Sequence, residues 1–221
     1  MQIEHCEFPD ELLYDLENNV WVRINSAGAI RLGITSIHAA LVGKLNQVKF
    51  KPIGTNLLKS QGVATIESAR YFGVVRTPLS GRLVALNSRL DDQPKLANDF
   101  PYGEGWFVEV AKNSDTSGLG SLVEPRAAVD RIRAQVRDLH VRCFTAYPDY
   151  DLWEIGVECA AVLVRLNELL ESSKVNDVVH VVSDDPTADI EMERWSDETG
   201  QDVLESRKEG NLMHFIVRKV R

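Results

Sequence analysis

Two short stretches of this chain carry side chains able to do chemistry. The first is Gly156-Val157-Glu158-Cys159-Ala160-Ala161-Val162, where Cys159 opens an apolar run with helical spacing, and Asp184-Asp185-Pro186 follows further along. A thiol at a helix N-terminus faces unpaired backbone N–H groups and the positive end of the helix dipole, both of which favour the nucleophilic thiolate. Glu158 beside it works the other way. The plainer role for Cys159 is that of a small buried apolar residue, common for a free cysteine. The second stretch is Glu67-Ser68-Ala69-Arg70, a polar turn between the apolar run Val63-Ala64-Thr65-Ile66 and the alternating run Gly81-Arg82-Leu83-Val84-Ala85-Leu86. It reads as the exposed tip of a hairpin made by those two runs. An arginine there is a cation at any accessible pH and is not an amide-forming nucleophile.

Composition narrows the classes of function. With 221 residues, 44% of them hydrophobic and 26% charged, the chain can bury a core as one large domain or two small ones. No apolar run approaches the roughly 18 residues of a membrane span, and the N-terminus MQIEHCEFPDELL carries acids where a signal peptide carries Lys or Arg. A cytoplasmic protein with no membrane segment is the expectation. A net charge of −8 argues against nucleic acid as a partner, because binding to phosphates needs clustered Lys and Arg. The charge is uneven: residues 126–146 are net basic and residues 147–221 strongly acidic. Two modules and a connector are expected, and the connector could pack on the acidic module. Cys6, Cys143 and Cys159 are odd in number and widely spaced, which signals neither a disulfide framework nor a CxxC metal site. His5-Cys6 and His140 with Cys143 offer no known zinc spacing, so no metal is expected.

Residues 1–12 read as an N-terminal extension with a helix start near Pro9-Asp10-Glu11. Strands follow at Val20–Ile24 and Ala29–Thr35, separated by a turn at Asn25-Ser26-Ala27-Gly28; Ser36 then caps a short helix, and Leu45–Phe50 alternates as a strand. Four motifs in order, Gly33-Ile34-Thr35, Glu67-Ser68-Ala69, Thr77-Pro78-Leu79-Ser80-Gly81 and Pro101-Tyr102-Gly103-Glu104-Gly105-Trp106, resemble the glycine cleavage system H protein and related lipoyl domains. The resemblance covers residues 13–125 and implies an all-β barrel-sandwich hybrid with flanking helices. It also implies that the lipoyl-bearing lysine of that family falls on Arg70, so lipoate is expected to be absent. Lys59 lies at the other end of the preceding strand and is no substitute. Trp106 is expected to be buried, and Tyr71 and Phe72 to pack on the barrel as strand residues, or else to form a docking surface. From Pro125 a helix is expected to about Leu139, with Val129, Ile132, Val136 and Leu139 as one apolar stripe that covers the barrel and an arginine-rich face in solvent.

From Tyr147 the pattern alternates strand and helix in the order βαβαββ, a two-layer α+β sandwich over residues 147–221. Asp151-Leu152, Gly156-Val157-Glu158-Cys159, Asp184-Asp185-Pro186 and Ile216-Val217-Arg218-Lys219 resemble the TusA/SirA-like sulfur carriers, with two extra residues before Gly156. In that family the cysteine heads Cys-Pro-x-Pro and carries a persulfide. Here both prolines are missing, and with them the fixed φ that stiffens the first helical turn.

The resemblances together imply a non-lipoylated sulfur carrier or sulfurtransferase accessory with a persulfide on Cys159, whose partners are proteins of lipoyl or sulfur-transfer systems. The rival expectation is a degenerate interaction or regulatory module in which both carrier positions, Arg70 and Cys159, have lost their chemistry. A working glycine cleavage H protein is the weakest of the three, since the hairpin lacks the lysine.

Overall fold

The computed structural model describes residues 1–25, 29–112 and 119–221; the turn expected at Asn25-Ser26-Ala27-Gly28 falls largely outside them. The chain divides into two compact units, Met1–Cys143 and Phe144–Arg221.

The first unit runs β1 (Gln2–Ile3), β2 (Cys6–Glu7), β3 (Leu13–Asp15), β4 (Val20–Ile24), β5 (Ala29–Ile34), α1 (Ser36–Val42), β6 (Leu45–Phe50), β7 (Asn56–Leu57), β8 (Gly62–Ser68), β9 (Phe72–Arg76), β10 (Gly81–Leu86), α2 (Arg89–Asp92), α3 (Leu96–Asp99), β11 (Val108–Lys112) and α4 (Val129–Asp138). Strands β3-β4-β5-β11-β10-β7 form one antiparallel sheet and β6-β8-β9 a second. Alternation decides which side is core: Ile30, Leu32 and Ile34 of β5 are buried and join Val63, Ile66 and Val75 of the second sheet in one apolar cluster. The sheets face each other without closing into a barrel among the described residues.

The hairpin differs from the expected one. β8 pairs with β9, Glu67 opposite Phe72, while Gly81–Leu86 crosses to the other sheet and pairs with β11 and β7. The short run Phe72–Arg76 carries little alternation, which hid it as a strand. At Gly33, opposite Trp21 across the β4–β5 ladder, an added Cβ would sit 2.8 Å from the indole. The glycine lets Trp21 lie flat across β5 and donate from Nε1 to the Pro101 carbonyl at 2.8 Å.

A second cluster gathers Phe8, Leu12, Tyr14 and Trp21 with Ile132 and Val136 of α4. So α4 covers the β-rich unit. Residues 1–12 are part of this packing, not a loose extension: β1 and β2 pair, and the segment Pro9-Asp10-Glu11 is a turn rather than a helix start. Two of the arginines on the outer face of α4, Arg133 and Arg137, reach Glu4 at 3.4 and 2.8 Å, and Arg126, just ahead of the helix, reaches Asp10 at 2.9 Å. Cys6 and Cys143 form a disulfide, S–S 2.02 Å, across 137 residues. Their separation concealed it in the sequence; the N-terminal strands lying against α4 bring them together. Trp106 is only half-buried, with the Arg31 guanidinium 4.5 Å above its ring.

The second unit runs β12 (Tyr150–Glu154), α5 (Cys159–Ser172), β13 (Val178–Ser183), α6 (Ala188–Thr199), β14 (Asp202–Glu209) and β15 (Leu212–Arg218), the expected βαβαββ order. Its sheet has the order β12-β13-β15-β14, with β12 parallel to β13 and the rest antiparallel. Val162, Leu166 and Met192 of the helices pack on Val179, Val181 and Phe215. This is a two-layer sandwich, helices on one face of one sheet. Among the described residues no helix is long and apolar enough to cross a membrane.

Candidate functional site

The turn after β8 is built against the end of α1. That helix starts at Thr35, whose Oγ1 accepts from the His38 N–H at 3.3 Å, so Thr35 and not Ser36 is the cap. The helix stops because Gly43 adopts φ +81°, where a side chain is strained. Its last carbonyls have no intrahelical partner. Ser68 Oγ donates to the Val42 carbonyl, and Arg70 Nη2 to the Ala40 carbonyl at 2.8 Å. Asn98 Nδ2, from α3, serves Ala39 and Gly43 at 3.3 and 2.9 Å. The Arg70 side chain lies so close over Gly43 that an added Cβ would stand 2.7 Å from its Nε. Ser68 is therefore buried, not part of an exposed tip; Glu67, Ala69 and Arg70 are exposed.

Tyr71 and Phe72 do not pack on the core. Phe72 is 71% exposed and Tyr71 37%. The pleat explains this: Glu67 and Phe72 are paired and both lie on the outer face of the β8–β9 ribbon. Tyr71 folds back over Gly73 and meets the edge of the buried His38 ring, centroids 6.4 Å apart. Burial pushes the His38 pKa down.

Cys159 is the first residue of α5, as its sequence position suggests, but its surroundings do not activate it. The side chain is 4% exposed and joins the apolar cluster beneath the helix. Its backbone N–H, one of the donors that would meet an anion at the helix start, is taken by Asp185 Oδ2 at 2.9 Å. Asp184 Oδ1 likewise accepts the Gly156 N–H at 2.7 Å, so the Asp-Asp-Pro segment latches the loop before α5. Burial first, then the carboxylates of Asp185 and Glu191, push the thiol up to about 11. Asp185 is itself held below the ordinary carboxylate range by the Thr187 hydroxyl and N–H and by the Cys159 N–H. Among the described residues no cluster of three metal-ligating side chains occurs, and Cys6 and Cys143 bond each other instead of a metal.

The Glycine cleavage H-protein family model matches residues 12–135. The chain belongs to that family. Its C-terminal part, residues 154–219, matches the Sulfurtransferase TusA model. Among curated proteins the chain is similar to "Glycine cleavage system H protein 2" of Aquifex aeolicus, 35% identical over 138 residues, covering 62% of this chain and 86% of the relative. It is also similar to "Probable glycine cleavage system H protein 3" of Sulfurisphaera tokodaii, 38% identical over 110 residues, covering 50% and 79%. A crystal structure of a glycine cleavage system H protein from Mycobacterium marinum matches in fold, with TM-score 0.50 and 23% identity, covering 57% of this chain and 98% of that one.

Against the H-protein family the residues present do not fit lipoate. The resemblance of Glu67-Ser68-Ala69 to the family's hairpin puts the attachment lysine at Arg70, whose guanidinium donates to the Ala40 carbonyl at the helix end. Lys59 is at the far end of β8, with its Nζ on Ser121 Oγ at 3.2 Å. Asn98, a third partner of the same helix end, gives no signal in the sequence beyond its place four residues after Pro94.

Proposed function

We propose that this protein is a non-lipoylated accessory of a lipoyl- or sulfur-transfer system, a binding module that engages protein partners through its H-protein-like unit and carries no group of its own. The observation that carries this reading is the Arg70–Ala40 hydrogen bond: the carrier position is occupied by a side chain that cannot form the amide and is used to finish a helix. The closed surroundings of Cys159 support it from the other unit. Exposed Phe72 and Tyr71 at the turn supply an apolar contact for a partner that receives H proteins there. Both families consist of small carriers that present themselves to enzymes, so tethering them raises the local concentration of one near the partner of the other.

A second reading rests on the placement of Cys159 at the start of α5 in the TusA-like unit. Here the thiolate takes the outer sulfur of a donor persulfide: the donor's S–S bond breaks, its inner sulfur leaves as thiolate, and a new S–S bond forms on Cys159, with no external oxidant. This requires Cys159 to be uncovered first, by a donor protein that displaces Asp185.

Intact-mass spectrometry separates the two. Protein from lipoylating cells is measured without reductant, before and after exposure to a persulfide donor, beside Cys159→Ala. The accessory reading expects no lipoyl mass and no added sulfur. A sulfur gain that needs Cys159 overturns it in favour of the carrier, and a lipoyl adduct overturns it altogether.

A further inference from the structure

The TusA-like unit holds a chain of titratable groups that neither reading uses. Val179, Val181, Phe215 and Val217 face α5 and α6, so by strand alternation His180 and His214 face the other side of the sheet. In the β13–β15 register His180 lies opposite Ile216 and His214 opposite Val182, which makes the two histidines diagonal neighbours on that face. Both are buried, and their rings stack with 13° between planes. His180 Nε2 stands 2.9 Å from His214 Nδ1. At the outer ends, Asp151 Oδ1 of β12 is 2.9 Å from His180 Nδ1, and Glu209 Oε2 of β14 is 3.7 Å from His214 Nε2. Phe144 lies tilted against both rings and Trp153 meets both edge-on. Arg207 lies over the Phe144 ring at 4.8 Å and pairs with Glu205 and, at 3.7 Å, Glu209.

The hydrogens follow from these contacts. An ionised Asp151 only accepts, so His180 carries its proton on Nδ1. A neutral His180 then has an accepting Nε2, and His214 must donate to it from Nδ1. That leaves Nε2 of His214, which faces the Glu209 carboxylate, as the place for one further proton. With it added, each contact along Asp151, His180, His214 and Glu209 runs from a donor to an acceptor, and the proton between the rings can belong to either. A second added proton would set two N–H groups against each other across 2.9 Å, in a site where Arg207 already supplies positive charge.

We infer that His180 and His214 form a one-proton binding site: the pair takes up a single proton, at Nε2 of His214 beside Glu209, and no second while the rings stay in contact. Uptake of that proton makes the contact between β13 and β15 sensitive to pH.

Nitrogen-15 spectra of the imidazoles in the full chain, from pH 8 to pH 5, test this directly. One protonation step shared by the two rings, with His214 Nε2 changing from bare to protonated and a proton retained on His180 Nδ1, is expected. In Glu209→Gln, which keeps the side chain's size and removes its charge, the midpoint of that step moves to lower pH by about one unit, through loss of the facing carboxylate. Two independent single-ring titrations, no uptake before the unit unfolds, or a midpoint unmoved in Glu209→Gln would each overturn the inference.

Discussion

Arg70 Nη2 and the Ala40 carbonyl, 2.8 Å apart, join the turn after β8 to the last turn of α1. The bond places a cation at the negative end of a helix, where backbone dipoles favour it, and it satisfies a carbonyl that the helix leaves open. Ser68 and Asn98 satisfy its neighbours Val42, Ala39 and Gly43. Three side chains from two segments, Ser68, Arg70 and Asn98, thus share one helix end.

Arg70→Lys tests the proposed equivalence of this position with the family's lipoate attachment by placing an amine there. Expressed in lipoylating cells, the variant is expected to gain one lipoyl group by intact mass while the parent gains none. Stability should change by no more than about 1 kcal/mol, since an exposed hydrogen bond is replaced by a similar donor. An unmodified lysine variant would show that more than residue 70 has been lost from the recognition surface.

Gly43→Ala tests the same contact from the helix side. The new methyl meets Arg70 Nε at 2.7 Å in a backbone conformation, φ +81°, that alanine resists. A loss of about 1 kcal/mol or more is expected from the backbone alone, read as a lower urea midpoint. A neutral result would mean that the end of α1 relaxes without needing either residue.

Cys159 should behave as a protected thiol. With its pKa raised from 9.0 to about 11, the thiolate at pH 7.5 is on the order of a hundredfold scarcer than for an exposed cysteine. Iodoacetamide should therefore label it at least that much more slowly than a free thiol, with the rate climbing up to pH 11. The sign for stability follows: the folded-state pKa is above the unfolded one, so the contribution is full below pH 9 and lost as pH rises toward 11. Cys159→Ala should lack that alkaline loss. Asp185→Asn, which removes the nearest negative charge, should label faster than the parent; equal rates would assign the protection to burial alone.

Much of this arrangement could be read in the sequence, for reasons specific to the elements. The βαβαββ order was legible because each helix shows a continuous apolar face and each strand is bounded by turn residues; α6 begins and ends where its periodicity does. The position of Cys159 on α5 was legible for the same reason. Its burial and the capture of its N–H by Asp185 were not, since these depend on a loop 26 residues away folding back. The β8–β9 hairpin is hidden in the sequence because Phe72–Arg76 has an exposed aromatic and a glycine where alternation would mark a strand, while the well-patterned Gly81–Leu86 belongs to the other sheet. Ser68 looked like a polar turn residue because nothing local reveals that α1 ends beneath it. The disulfide is the extreme case: two cysteines 137 residues apart are adjacent only after the whole unit has folded.

The Cys6–Cys143 disulfide gives the expectation of a cytoplasmic protein something to be measured against, because such bonds are rare in the cytosol of mesophiles. Denatured, unreduced protein should expose one reactive thiol, Cys159; three would mean that the pair stays reduced in the cells used. In the chain-entropy picture, closing a loop of this length contributes up to about 5 kcal/mol. Reduction should therefore lower the unfolding midpoint of the first unit and leave that of the second unit unchanged.

The apolar stripe of α4 separates residues that hold the helix from one that only continues its pattern. The sequence offers Val129, Ile132, Val136 and Leu139 as equals, but α4 ends at Asp138, and Leu139 is turned to solvent while Ile132 and Val136 are buried against Phe8, Leu12 and Tyr14. Truncating a fully buried isoleucine removes its transfer free energy and leaves a cavity, so Ile132→Ala should cost about 2–5 kcal/mol. Leu139→Ala should fall within about 0.5 kcal/mol of the parent. The ion pairs from Arg133 and Arg137 to Glu4 are exposed and cannot make up such a loss. With the disulfide intact, the damaged helix stays tethered to β2 through Cys6, so the cost of Ile132→Ala should grow when the protein is reduced. Denaturation of both variants, oxidised and reduced, measures all four values. Equal costs for Ile132 and Leu139 would mean that α4 is held by its ends and its charges, not by this core.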